Sequence, residues 1–394
     1  MTFRFADETT MGVGGGAERV FDITTPAEAL EALGEVDGVH DEFVVLGGGS
    51  NLVVADEGFE GAVLRVRNEG TDVRVHAEGV LDLHVAAGEV WDDLVARTVE
   101  SGLGGIEALS GVPGRVGAAV IQNIGAYGHE VGEALVSVDF ADAATGELRT
   151  ISAADLGFGY RTSAFKRGEL EGVVTAITLR LHGDGLSAPV QYAQLAAALG
   201  VEVGHRAPVQ QVRDTVLSLR RGKGMVYDPA DIDSHGCGSF FTNPIVHASF
   251  ANGLPADAPR WPVSEEALNR QSSTGSASAP ASDAGDAAVA AVIPLDRFRG
   301  DELYAAGQQG RQSGRRLVKL SAGWLIEHAG VHRSFALPGS QAGISSRHTL
   351  AITNRGGATA RQVVELATFV QTRVANEFGI ALQPEPILLG FGEN

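Results

Sequence analysis

The feature that most constrains this chain is a glycine-rich stretch, GVPGRVGAAVIQNIGAYG, at residues 111–128. It holds five glycines in 18 residues and one charged side chain, Arg115. In a helix each glycine would cost about 1 kcal/mol relative to alanine, and an exposed loop would be more polar. The composition instead favours positive φ angles, or a backbone that approaches a neighbour closely with its N–H groups available. It predicts either a loop for a diphosphate and a flat apolar ring, or a buried turn with packing glycines.

A second glycine loop, Gly47-Gly48-Gly49-Ser50-Asn51, lies between two apolar runs that read as strands, at 43–46 and 52–54. The dinucleotide fingerprint G-x-G-x-x-G is excluded, since that motif needs a helix after the loop. Successive N–H groups here could form an anion-binding nest. A plain glycine hairpin is the alternative.

The charge balance limits the kind of partner. The formal net charge is −19, which argues against nucleic acid or a membrane surface as the main partner. An anionic small molecule remains possible, because local basic residues decide its binding. The single cysteine, Cys237, permits no internal disulfide. With no apolar signal core, no apolar run near ~20 residues and no cluster of metal ligands, we expect a cytoplasmic protein without a metal.

At 394 residues with 44 % hydrophobic content, the chain can form two or three domains. Alternating and apolar runs predict a sheet with one wet face over 61–88 and further strands at 135–140 and 173–181. Amphipathic spacing predicts helices at 26–33, 88–96, 208–221, 318–327 and from Thr359 onward. A composition rich in Ser, Ala and Gly predicts a flexible insertion at about 250–316.

Several polar residues stand out, each with an ordinary alternative. Arg161 and Lys166 lie among aromatics in FGYRTSAFK, where a surface or salt-bridged arginine is the alternative. The cluster RRGKG ends the 208–221 helix and either complements the helix dipole or clamps a phosphate. Ser239, in GCGSFF, places a hydroxyl in an apolar environment that lacks a hydrolase motif. Glu385, between two prolines, is either a held carboxylate or a solvent-exposed one near the end of the chain.

Six motifs occur in one order: GGGSN, SGVPGRVGAAVIQNIGAYG, FGYRTSAFK, GSFFTNP, KLSAGWLIE and QPEPILLG. Each is weak alone, but together they closely resemble the UDP-N-acetylenolpyruvoylglucosamine reductase (MurB) family. The resemblance covers nearly the whole chain apart from residues 250–316.

The resemblance implies an α+β fold of three domains. Two would form an FAD-binding unit of the vanillyl-alcohol-oxidase/PCMH type, at residues 1–70 and 71–217. The third, a substrate-binding domain at 218–381, would carry the insertion, and a tail at 382–394 would return near the active site.

It also implies an activity. NADPH would reduce a non-covalently bound FAD, which would deliver hydride to the enolpyruvyl ether of a UDP-sugar. The product would be UDP-N-acetylmuramate, a precursor of peptidoglycan. The expected partners are therefore small molecules, with no nucleic acid and no membrane, and the protein is expected to be a monomer.

Carried over onto this sequence, the family's catalytic residues are Arg161, Ser239 and Glu385. A fixed guanidinium suits the charge that develops on an enolate, Glu385 would orient or polarise the carboxylate end, and Ser239 would donate the proton. Lys166 would support the site.

The flavin loops would comprise Gly47, Gly48, Gly49, Ser50, Asn51, Ser110, Gly111, Gly114, Gly117, Asn123, Gly125 and Ala126. Tyr192 would cover the substrate, and Lys223 and Asn243 would bind its UDP end.

Two other functions use the same features. An oxidase on the same scaffold would pass electrons to O₂ and would need no proton donor at Ser239. A non-catalytic flavin- or UDP-sugar-binding protein would not need Arg161 and Glu385. Cys237, two residues before Ser239, is either a small buried filler or a redox switch.

Overall fold

The computed structural model describes residues 2–36, 42–76, 79–263 and 317–392. The chain divides into two compact units, which are described separately below. The first unit comprises residues 1–3, 16–50 and 59–227, and the second comprises 4–15, 51–58 and 228–394. Among the described residues, no helix combines the length and the apolar character needed to cross a membrane.

Helices and strands are numbered in chain order. The helices are α1 (Phe5–Glu8), α2 (Pro26–Glu35), α3 (Trp91–Glu100), α4 (Val116–Ala119), α5 (Ala193–Leu199), α6 (Val209–Gly222), α7 (Ala248–Ala251), α8 (Ala322–His328) and α9 (Ala360–Phe378). The strands are β1 (Ala17–Ile23), β2 (Phe43–Leu46), β3 (Leu52–Val54), β4 (Phe59–Val66), β5 (Thr71–Val75), β6 (Val80–Ala86), β7 (Gly125–Ala126), β8 (His129–Glu130), β9 (Leu135–Asp142), β10 (Glu147–Ser152), β11 (Gly172–His182), β12 (Ile245–His247), β13 (Arg260–Val263), β14 (Leu317–Leu320), β15 (Ala342–Ile344), β16 (Ile352–Asn354) and β17 (Ile387–Leu389).

The first unit begins with a small parallel sheet in the order β1-β4-β2. The α2 helix that follows β1 starts at a capping box, in which Thr25 and Glu28 satisfy each other's backbone N–H groups. Pro26 occupies the first turn, where its missing N–H costs nothing. The buried residues of α2, Ala29, Ala32 and Leu33, share one core with strands of both this sheet and the antiparallel sheet. The loop after β2 leads directly into Gly47.

A five-stranded antiparallel sheet in the order β10-β9-β11-β6-β5 completes most of the first unit. The central strand, β11, is buried along most of its length, whereas every residue of the edge strand β5 is exposed. In β6, Leu83 and Val85 are buried and alternate with partly exposed residues, as predicted for a strand with one wet face. The single sheet predicted over 61–88 is wrong, however, because β4 belongs to the parallel sheet and only β5 and β6 belong to this one. A separate apolar cluster joins α5 to α6 through Val190, Leu195, Ala196, Val212 and Val216.

The second unit contains the sheet β12-β14-β13, the antiparallel pair β15-β16 and the parallel pair β17-β3. Its longest described helix, α9, starts after Thr359 as predicted, with Thr359 and Gln362 forming a capping box. The buried side of α9 includes Val363, Leu366, Ala367, Val370 and Val374, which share one core with α8.

Two expectations need correction, and one alternative is excluded. A helix was expected over 318–327, but Leu317–Leu320 is a strand and the helix begins only at Ala322, because Val318 and its neighbours pair with strands on both sides. The insertion was expected from about 250, yet β13 pairs with β14, so residues up to 263 are ordered. Residues 264–316 lie outside the described part. The loop 47–51 is not a hairpin, because β2 pairs with β4 while β3 pairs with β17.

The mixed helix and strand content confirms the predicted α+β class. The change from the parallel sheet to the antiparallel sheet falls between Val66 and Thr71, beside the expected boundary at residue 70. The division into three domains stays a prediction, since contacts group the chain into two units.

Asp56 provides a test of how α9 is anchored. Its two carboxylate oxygens accept hydrogen bonds from the N–H groups of Ala360 (2.8 Å) and Arg361 (3.1 Å). Asp56→Ala leaves these N–H groups without that acceptor, so we expect the free energy of unfolding to fall by about 1 kcal/mol. Asp56→Asn retains an acceptor and should lose less. Urea unfolding followed by circular dichroism measures both variants, and equal stability of Asp56→Ala and wild type would contradict this role.

Candidate functional site

The two glycine-rich loops of the first unit lie backbone against backbone. A Cβ atom added to Gly48 would stand 2.6 Å from the Cα of Gly114, which itself has a φ of 123°. The hydroxyl of Ser50 also donates a hydrogen bond to the carbonyl of Pro113, at 3.1 Å. Only residues without a Cβ allow this approach. The glycines at 48 and 114 are therefore required by contact between the loops.

The first loop has donors available for an anion. Within the described residues, no backbone carbonyl accepts a hydrogen bond from the N–H groups of Gly48, Gly49 or Ser50. Successive N–H groups of this kind attract negatively charged oxygens. The loop therefore offers N–H donors to a negatively charged group, and its glycines add no side chain beside them.

The second glycine-rich loop is held by contacts with neighbouring residues of the first unit. Gly117 sits so close to Ala87 that an added Cβ would meet the Ala87 Cβ at 2.6 Å. The buried Ser110 uses its hydroxyl to bond the Glu107 carbonyl at 2.6 Å. Gly111, with a φ of 71°, donates its N–H to Asp92 at 2.6 Å. In this structure these residues shape the loop through contacts within the protein.

Asn123 also acts within the protein. It takes a positive φ of 50°, and its amide nitrogen contacts Glu130 (2.6 Å) and the Gly159 carbonyl (3.1 Å), while its amide oxygen accepts from the Gly132 N–H (3.0 Å). This places Asn123 between the short β7–β8 hairpin, which contains Gly125 and Ala126, and the segment that carries Arg161.

Arg161 occupies a strained backbone position, with a φ of 57° in the tight turn bridged by Gly159 and Thr162. Such conformations cost about 1–3 kcal/mol and concentrate at functional sites. The Nη2 atom donates to the carbonyl of Gly125 at 2.9 Å. The guanidinium is thereby fixed against the glycine-rich segment, as a binding arginine requires. Lys166, five residues on, is exposed.

Tyr192 and Lys223, expected to bind substrate, are brought together. Tyr192 immediately precedes α5 and is 43 % exposed. Lys223, which follows α6, contacts Gln194 of α5 (Nζ to Oε1, 3.4 Å). Burial and the charge of Arg220 both lower the pKa of Lys223 below its usual value. Tyr127 packs edge-to-face on Tyr192 with ring centroids 5.7 Å apart. Sequence reasoning missed Tyr127, although it lies inside the glycine-rich stretch.

In the second unit, the segments carrying Ser239 and Glu385 are joined. The N–H of Glu385 donates to the carbonyl of Phe240 at 2.9 Å, and Phe241 forms a β-bridge with Pro384. Asn51, expected among the flavin residues, donates from its side chain to the Glu385 carbonyl at 3.1 Å. Ser239 and Glu385 are both half-buried, so Glu385 is not the fully solvent-exposed carboxylate of the alternative reading.

Asn243 and Cys237 have structural contacts in the same unit. The Asn243 amide oxygen accepts from the N–H of Ala322 at 2.9 Å, at the start of α8. Burial raises the pKa of the Cys237 thiol to about 12, and the charge of Glu385 adds to this shift. A thiol with so little thiolate is inert, which supports the buried-filler interpretation over the redox switch.

The contact between loops predicts the effect of a methyl group at Gly48. In Gly48→Ala the Cβ must displace the Gly114 backbone, so we expect a folded protein with at least tenfold weaker FAD binding. Gly34→Ala is the control, because its Cβ would meet nothing within 4 Å and alanine favours the helix. Flavin absorbance after gel filtration measures the FAD retained. Full FAD occupancy in Gly48→Ala would show that FAD binding does not depend on the close approach of Gly48 and Gly114.

Comparisons with known proteins agree with this organisation. Residues 17–152 match the FAD binding domain family, and residues 229–389 match the UDP-N-acetylenolpyruvoylglucosamine reductase, C-terminal domain family. The UDP-N-acetylenolpyruvoylglucosamine reductase of Leifsonia xyli is 49 % identical over 390 residues, which cover 97 % of both chains. That of Mycobacterium tuberculosis is 40 % identical over 97 % of this chain and 93 % of its own length.

The fold has a match among solved structures. The crystal structure of UDP-N-acetylenolpyruvylglucosamine reductase (MurB) from Thermus caldophilus superimposes with a TM-score of 0.59 at 24 % identity, covering 98 % of this chain and 97 % of that one. The matched domains, the high identity over nearly the full length and the shared fold lead to one conclusion. The chain belongs to the UDP-N-acetylenolpyruvoylglucosamine reductase family of FAD-containing oxidoreductases.

Proposed function

We propose that this protein reduces UDP-N-acetylglucosamine enolpyruvate to UDP-N-acetylmuramate with electrons from NADPH, in the synthesis of peptidoglycan precursors. The observation that carries the proposal is the bridge in the second unit between GSFF and PEP, which holds the segments of Ser239 and Glu385 together. An enolpyruvyl reduction needs both a proton donor and a group that controls the substrate carboxylate. These two residues supply that pair.

FAD, when bound, supplies the hydride that is added to the terminal vinyl carbon. The N–H groups of Gly48, Gly49 and Ser50 would hold its diphosphate, and the segment from Gly111 to Ala126 would form the wall of its site. Hydride addition places negative charge on the enolpyruvyl carboxylate as an enolate. Arg161 would stabilise that charge, because its guanidinium is always protonated and bonds in a planar fork.

The second carbon of the former double bond must then receive a proton. Ser239 would donate it from its hydroxyl, which becomes an alkoxide and recovers a proton from solvent. Glu385 would orient the carboxylate end of the substrate. The half-buried placement of both residues supports these roles, because it limits their contact with solvent without burying them completely.

The other end of the substrate carries a diphosphate. Lys223 would bind it, with Asn243 supplying its NH₂ group, and Tyr192 would cover the bound nucleotide. The exposed position of Tyr192 supports a covering role, since a tyrosine that moves over a ligand cannot be fixed in the core. We further propose that the enzyme works as a cytoplasmic monomer and has only small-molecule partners.

Anaerobic half-reactions test the proposal. The flavin of the purified protein is first bleached with one equivalent of NADPH, and UDP-N-acetylglucosamine enolpyruvate is then added. We expect the oxidised visible spectrum to return rapidly. If the spectrum returned only after air was admitted, the protein would be an oxidase. If NADPH never bleached the flavin, NADPH would not be the electron donor.

Ser239→Ala tests the proton donor separately. NADPH should bleach the flavin at the wild-type rate, because that step needs no proton from Ser239. Return of the oxidised spectrum on adding substrate should slow by at least 10²-fold, the lower range for loss of a general acid. Ser239→Cys keeps an S–H donor at the same position and should recover part of the rate. Unchanged reoxidation in Ser239→Ala, measured by stopped flow, would remove Ser239 from the mechanism.

A further inference from the structure

The backbone of Glu385 is held on two sides within the second unit. Its N–H group donates a hydrogen bond to the carbonyl of Phe240 at 2.9 Å. Its carbonyl accepts a hydrogen bond from the side-chain amide nitrogen of Asn51 at 3.1 Å. Phe240 is fully buried and directly follows Ser239 in the chain. Both polar groups of the Glu385 main chain therefore have partners, and one of these partners is a side chain.

The contact with Asn51 lies where the backbone pairing of the tail begins. The strand β17 pairs in parallel with β3 from the register of Ile387 with Leu52, and the N–H of Ile387 donates to the carbonyl of Asn51 at 3.0 Å. The two prolines that flank Glu385 have no N–H group with which to extend this pairing. The side chain of Asn51 therefore carries the contact between the two segments as far as Glu385.

Other contacts anchor the tail without touching Glu385. The side chain of the buried Gln371, in α9, donates to the carbonyl of Leu382 at 2.9 Å. The N–H of Thr242 donates to the carbonyl of Gln383, also at 2.9 Å. The pairing of β17 with β3 holds the other end. Loss of the Asn51 amide should therefore change the position of Glu385 more than the path of the tail as a whole.

A carboxylate can orient a substrate only if its own backbone is fixed, because a displacement of about 1 Å can lower a rate about 100-fold. We propose that Asn51, which the family resemblance places among the flavin residues, is a positioning residue for Glu385 and acts when the substrate reoxidises the flavin. Its side chain serves the tail rather than the binding of FAD. The inference rests on the proposed function, in which Glu385 orients the enolpyruvyl carboxylate.

Removal of the amide tests this role. In Asn51→Ala, anaerobic reoxidation of the reduced flavin at saturating substrate should slow about 10-fold to 100-fold. FAD content and the rate of bleaching by NADPH should stay within about twofold of wild type. Asn51→Asp keeps the shape of the side chain but lacks the NH₂ group, and it should be slow in the same step. Wild-type reoxidation in either variant would overturn the inference, as would loss of FAD from Asn51→Ala.

Gln371→Met is the matched control, because it also removes a side-chain amide that holds a carbonyl of the tail, but at Leu382. We expect this variant to unfold at a lower urea concentration while its reoxidation rate stays within about twofold of wild type. If Gln371→Met slowed reoxidation as much as Asn51→Ala, both amides would merely stabilise the tail, and Asn51 would have no positioning role.

A double-mutant cycle shows whether Asn51 acts through Glu385. In a Glu385→Ala background no carboxylate remains to be positioned, so the further change Asn51→Ala should slow single-turnover reoxidation less than about twofold. The full loss in that background would show that Asn51 acts independently of Glu385 and would contradict the inference. If the substrate failed to reoxidise the flavin of the wild type, the proposed function itself would be wrong.

Discussion

The approach of two backbones, at Gly48 and Gly114, is the constraint on which the first unit depends. Their loops come from different sheets, since one follows β2 of the parallel sheet and the other precedes β9 of the antiparallel sheet. A Cβ atom at Gly48 would meet the Gly114 backbone, and one at Gly114 would meet the hydroxyl of Ser50. The close approach brings the N–H groups of the first loop beside the apolar second loop, and this combination suits a diphosphate joined to a flat ring.

Strain at the site follows from the same geometry. Asn123, Tyr127 and Arg161 are three of the few non-glycine residues with positive φ in the described chain. All three lie at the glycine-rich segment or at the turn bonded to it. The hydrogen bonds of Asn123 and the contact of Arg161 with Gly125 hold these positions in place. The chain stores strain where polar side chains must have fixed directions.

Basic side chains of the first unit contrast with the acidic composition of the chain as a whole. A net charge of −19 disfavours anions near the protein as a whole, yet Arg220 and Lys223 lie one helical turn apart at the end of α6, and burial lowers the pKa of both. Removing cations from water is unfavourable without a counter-charge. The sign of the charge is thus reversed locally within an acidic protein.

The sequence alone determined the α+β class, most strand positions and the site motifs, because period-two alternation, glycine density and capping residues are local signals. The strand Leu317–Leu320 could be recognised only in the tertiary structure, because it pairs with two short strands, Ile245–His247 and Arg260–Val263, that lie far from it in the sequence. The tertiary structure also shows that Arg220 is half-buried whereas Arg221 is exposed, and that Tyr127 packs on Tyr192. Neighbouring residues in a sequence look equivalent, and burial, which comes from long-range packing, makes them different.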